Sequence, residues 1–190
     1  MTTLVSRRDT ISSRCPFTFD DRRLHVLWEH WRGALRPDRL PRREDIDPTA
    51  LRGVLPMVWI YRIDGSGRDF YCALAGEEIR AAWDRPGLIG LHMSEMFEAD
   101  VYPELRGRWL RLLDEPAVMH SSTRYQGDRV ETPRRRRRAE RLTLPLWDGK
   151  GAPYGVIGIT SYVPPSSDRD PATIGPLPPR IVPVTTLLAA

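Results

Sequence analysis

The chain has 190 residues, 41% apolar and 28% charged, with 18 Pro and 14 Gly, which suits one folded domain with appendages rather than two domains. No run approaches the roughly 18–20 apolar residues of a membrane span, and the N-terminus lacks a continuous apolar stretch of the signal-peptide kind, so a cytoplasmic protein with no membrane partner is expected. The formal net charge is +4, yet residues 124–141 hold eight Arg against three acids, which places one basic segment on a near-neutral body.

Residues 1–16 are polar and unpatterned and are expected to be a flexible leader. Residues 17–36 are predicted as a helix that Asp20 or Asp21 can cap, since a short carboxylate accepts from unpaired first-turn N–H groups. Leu24, Leu27, Trp28, Trp31 and Leu35 form one apolar stripe, and Gly33 and Pro37 end the helix. A stripe with two Trp is large for so short an element and must cover a core or a partner; Trp28, Trp31 and Leu35 are assigned to a partner-binding face.

Residues 35–56 are irregular, with turns at Pro37–Asp38 and Asp47–Pro48. From residue 57 the pattern turns extended: strands at 57–63 and 68–75, joined by the Gly-containing turn 64–67, read as a hairpin. Gly76 opens a mostly helical region at 77–83, around 92–97, and at 101–115, where Leu105, Trp109, Leu112 and Leu113 share a face. Strands resume at 118–126, 139–147 and 154–163, and Gly158 leaves space on one face of the last. Seven of the 27 residues from 164 to 190 are Pro, so that tail is expected to be extended or disordered. Strands and helices that do not alternate predict an α+β fold, an antiparallel sheet with helices on one face.

This order resembles the PAS domain, and more narrowly a bacterial family of small stand-alone PAS proteins. The residues that carry the likeness are W-x-x-W-R (Trp28, Trp31, Arg32), L-P-x-R-x-D-I-D-P (Leu40 to Pro48) and L-P-x-V-W-I (Leu55 to Ile60). Further on they are Phe70 with A-L-A-G (Ala73 to Gly76), G-L-x-G-L-x-M-x-E-M-F (Gly87 to Phe97), L-x-L-P-L-W-D-G (Leu142 to Gly149) and G-V-I-G (Gly155 to Gly158). Residues 22 to about 163 are covered. The resemblance implies a five-stranded antiparallel sheet in the order 2-1-5-4-3, short helices over one face, and a PAS-like domain at 37–163. It implies a sensory or adaptor role and pairing through the helix before the sheet, hence a homodimer. It names no ligand, because PAS domains take haem, flavin, small organic molecules or nothing.

Motifs for other chemistry are missing. There is no H-x-H, H-E-x-x-H or Cys/His cluster, and Cys15 and Cys72 make neither a zinc knuckle nor a disulfide framework. No G-x-S-x-G or P-loop is present, and no nucleophile stands beside a base, so no catalytic residue is assigned. A pocket acid such as Asp84 or Glu95 would be needed for an enzyme reading. His92 could ligate haem, against the plainer role of a hydrogen-bonded histidine at a helix end, and no cofactor is predicted. Tyr71, Trp83, His92, Met93, Met96, Trp109, Ser122, Tyr125 and Ile157 are the candidate walls of a small-molecule cavity, against plain core packing. Arg134, Arg135, Arg136, Arg137 and Arg138, within the Arg-rich stretch 129–141, could meet an acidic partner or nucleic acid, against a solvated loop. No aromatic residue interleaves the run, which leaves base stacking unsupported. The sequence therefore reads as a non-catalytic PAS sensor or adaptor that signals by protein contact, with an acidic-partner or nucleic-acid binder as the alternative.

Overall fold

The structure is a computed structural model that describes residues 15–67, 69–83, 87–124, 138–163 and 178–188. Its elements are α1 (Leu24–Ala34), β1 (Val58–Ile63), β2 (Phe70–Ala75), α2 (Glu77–Trp83), α3 (Met93–Met96), α4 (Tyr102–Asp114), β3 (Ala117–Arg124), β4 (Arg138–Trp147), β5 (Pro153–Val163), β6 (Arg180–Pro183) and α5 (Val184–Leu188). All strand pairs are antiparallel, and the sheet runs β2-β1-β5-β4-β3-β6. The expected order 2-1-5-4-3 is there, with a sixth strand added at the β3 edge.

Strand alternation divides the interior into two cores, because successive side chains point to opposite faces. Val58, Ile60, Leu142, Leu144, Leu146, Ile157 and Ile159 meet α1, the 46–57 segment and α5. Trp59, Tyr61, Phe70, Cys72, Val156, Ala117 and Met119 meet α2, α3 and α4. The short helices α2, α3 and α4 lie over one face, as the resemblance implies, and the N-terminal helix α1 covers the other. The α1 stripe is the reason. Leu24, Leu27 and Trp31 are fully buried, and Trp28 and Leu35 nearly so, each in the core of this same chain.

Two features fix α1 on the sheet. The Trp31 indole N–H donates to the Pro145 carbonyl at 2.9 Å. Pro145 sits in the part of β4 that runs beyond its pairing with β3, so a residue without an N–H costs the sheet nothing on that side. The helix is also shorter than 17–36. Residues 20 and 21 give their backbone N–H groups to the buried Glu140 carboxylate at 3.0 and 2.9 Å, and this ties the turn before α1 to the sheet and delays the first helical turn to Leu24.

The Pro-rich tail is corrected in its last part. Residues 180–183 pair with Ala117–His120 of β3, and α5 buries Val184 and Leu187 in the α1 core. Composition points to a tail, but two apolar side chains and a strand edge are enough to dock it.

Candidate functional site

The face of the sheet under α3 and α4 is where a cavity was expected. Trp59 and Gly158 are register partners across β1 and β5. A Cβ on Gly158 would lie 2.1 Å from the Trp59 ring, so the space that glycine leaves is taken by the indole. Trp59 Nε1–H donates to Thr160 Oγ1 at 2.8 Å. Trp109 of α4 stacks on Trp59 with centroids 5.4 Å apart and 13° between planes. Tyr61 and Phe70 meet the Trp109 ring on their edges at 5.1 and 5.6 Å, and such aromatic contacts add to plain burial. The Tyr61 hydroxyl donates to Met96 Sδ at 3.3 Å.

One polar atom in this cluster is unsatisfied. Trp109 Nε1 is buried and has no hydrogen-bond partner, which is uncommon in a folded interior. Burial pushes the Tyr61 hydroxyl far above its usual range and pushes the Cys72 thiol up to about 11. Both stay protonated at neutral pH, and a protonated buried thiol is not a nucleophile.

The predicted pocket residues divide. Met93, Met96 and Trp109 are brought together beneath the helices, with Trp83 at their flank, its ring 5.1 Å from Phe97. Tyr71 and His92 lie side by side at the β2 edge, ring centroids 6.0 Å apart. The His92 ring is 41% exposed and 3.6 Å from Asp69. It stands just ahead of α3, outside the helix-covered core. Glu95, the acid of the enzyme reading, accepts the His92 backbone N–H at 2.8 Å. Ile157 belongs to the α1 core, and the pleat puts Ser122 on the same side as His120 and opposite Met119. Those two residues are corrections: strand alternation sends them away from the helical cluster. Tyr125, Asp84 and Arg134 to Arg137 lie outside the described residues, as does the Arg138 side chain.

The partner-binding stripe is a correction too. Trp28, Trp31 and Leu35 are buried in their own chain's core and offer no free face. Sequence reading missed Trp59, Tyr61, Phe70 and Thr160. The signal was present in the strict alternation of Trp59 and Tyr61 with Val58 and Ile60, opposite a strand that carries Gly158.

A second polar cluster sits on the other face. Glu140 is 2% exposed and bonds His120 Nε2 at 2.9 Å besides the N–H groups of Asp20 and Asp21. Burial alone would raise its pKa, but the His120 bond and the two backbone donors outweigh that and hold it below the usual carboxylate range. Asp21 accepts from the Arg23 guanidinium and from Ser161 Oγ. The Arg23 bond is the main reason its pKa falls to about 2. Phe17 and Phe19 pack against the His120 ring at 5.5 and 5.2 Å. This cluster pins the turn before α1 to the sheet. Among the described residues no group of three or more His, Cys, Asp or Glu could hold a metal. No helix of the described residues is long and apolar enough to cross a membrane.

A family model described as a PAS domain matches residues 20–161, from the turn before α1 to the last part of β5. No curated protein matches the chain. The matched span takes in the five strands, the helical cluster with its Trp59–Trp109 stack and the α1 cover, and it is the kind of domain that generally serves as a sensory, non-catalytic signalling module. The chain belongs to the PAS domain family.

Proposed function

We propose that this PAS domain is a non-catalytic signalling adaptor that acts by contact with another protein. The observation that carries this reading is the aromatic filling of the helix-covered face. Trp59 fills the gap over Gly158 and Trp109 closes on it, so side chains of the chain itself occupy the space that glycine leaves. The buried thiol and phenol are held protonated, and the His120–Glu140 pair is committed to the turn before α1. Neither cluster combines an accessible nucleophile with a base.

One observation favours a second reading, a small ligand beneath α4. The orphan N–H of Trp109 would gain a partner from a ligand carrying a hydrogen-bond acceptor, if the aromatic stack opened. Native mass spectrometry of freshly purified protein separates the two. The adaptor reading expects the bare polypeptide mass. A retained mass excess that is lost in a Trp109→Phe variant would establish the ligand reading instead.

A further inference from the structure

We propose that the outer edge of β3 is a docking edge for an extended apolar segment of a partner protein that carries a carboxylate, and that residues 180–188 of this chain are its displaceable occupant. This deepens the adaptor reading and rests on it for the partner's purpose. The segment lies beyond the family match, which ends at residue 161. It pairs with β3 at only four positions, Ala117 to His120, and one of its four residues is Pro183, which has no N–H to give. Three of the four β6 residues are exposed, with Ile181 at 47%. Its hold on the rest of the fold comes from two buried side chains, Val184 and Leu187, the partly buried Val182, the Val184 N–H to the Pro116 carbonyl at 2.8 Å, and Arg180, which donates to the Pro16 carbonyl at 3.1 Å and lies over the Phe17 ring. So few contacts against the ordering of nine residues put this segment among the parts of a fold that open first. Once it lifts, β3 presents unpaired backbone groups, the template that strand addition uses.

Arg32 of α1 supplies the chemistry of the partner. Its Nη2 donates to the Leu187 carbonyl at 2.8 Å, while its Nε is buried with no partner. Nε–H and Nη2–H form one side of the guanidinium fork, the side on which a carboxylate docks through both oxygens. The resident carbonyl satisfies only half of that fork. A partner segment with the same apolar spacing and a carboxylate at the Leu187 carbonyl position satisfies both halves, so it has the means to displace the resident.

A labelled peptide of residues 178–187, made with a free C-terminal carboxylate and separately as the amide, tests this against the full-length chain. A Val184→Asp, Leu187→Asp variant vacates the edge. The expected result is that the free acid binds this variant at least tenfold more tightly than the amide does, and at least tenfold more tightly than it binds the wild type. Adding Arg32→Gln should erase the difference between acid and amide. Absent binding, equal affinity of acid and amide, or dimerisation of the variant in place of peptide uptake would overturn the proposal. If the double variant fails to fold, hydrogen exchange on the wild type decides. Val182 and Val184 amides exchanging at least 100-fold faster than those of Leu144 and Ile157 support a displaceable occupant, and equal protection refutes it. The mass-spectrometric test of the adaptor reading does not depend on this edge, so the two can fail separately.

Discussion

Trp59 and Gly158 face each other across the β1–β5 ladder, and the indole of one lies where the side chain of the other would be. The aromatic stack on the helix-covered face is built on that exchange of volume. The Trp59 ring reaches Thr160 on one side and supports Trp109 on the other.

Gly158→Ala should therefore act as an overpacking change. The new methyl meets a rigid ring rather than the end of a flexible chain, and such insertions cost roughly 1–3 kcal/mol. For a domain of this size that lowers the melting temperature by roughly 3–10 °C. Trp59→Leu alone should also destabilise, but the double variant should lose less than the two single losses added together. Strict additivity in thermal unfolding would contradict the packing described.

Trp31→Ala should cost roughly 3–5 kcal/mol, as large buried aromatics do. Trp31→Phe should cost less, because its ring refills part of the site and the bond to Pro145 is worth only about 1 kcal/mol. Because the ring packs within its own chain, the melting temperature of either variant should not depend on protein concentration. A concentration-dependent melting temperature measured by calorimetry would support the helix-pairing homodimer.

Stability should fall on the acid side. The Asp21 carboxyl has a folded pKa of about 2, depressed first by its bond to Arg23, and Glu140 is also held low. A depressed carboxylate contributes stability that is complete above its ordinary value near 4 and is lost as pH falls toward the folded value. Arg23 is half exposed, so screening leaves about 1 kcal/mol from Asp21. Asp21→Asn should lower the melting temperature at pH 7, and the gap to wild type should close by about pH 2–3. A gap that persists there would show that the carboxylate charge is not what matters.

The purified protein should be colourless. His92, the single haem-ligand candidate, has its ring half exposed beside Asp69 just ahead of α3, and the face under α4 is filled by aromatic side chains. An absorption spectrum after gel filtration checks this. A Soret band or a flavin spectrum would refute it.

Changing Arg134 to Arg138 to Gln should leave the melting temperature nearly unchanged, because five clustered cations beside so few acids belong in water and exposed charges add little to folding. If the run docks an acidic partner, the same change should weaken that binding, and the difference should shrink as salt rises. A melting temperature that drops by many degrees would place these guanidinium groups inside the fold.

Local periodicity makes much of this protein legible in its sequence. The alternation of Val58 and Ile60 with Trp59 and Tyr61 marks a strand buried on both faces. The spacing of Leu24, Leu27, Trp28 and Trp31 marks an amphipathic helix, and the ordered words from Trp28 to Gly158 mark the family. Tertiary structure alone decides where each face goes. A stripe on α1 reads the same whether it meets a second copy or its own sheet, since burial depends on what lies opposite and not on spacing. Ile157 and Ser122 escape sequence reading because strand period tells which residues share a face, not which face lies under the helices. The bonds that hold the turn before α1, Asp21 to Ser161 and Asp20 to Glu140, join residues 140 and 120 positions apart, and no local pattern marks such pairs. Residues 180–188 are hidden for the opposite reason. Their Pro-rich surroundings suggest a tail, and only the open edge of β3 and the space beside Arg32 turn Val184 and Leu187 into core.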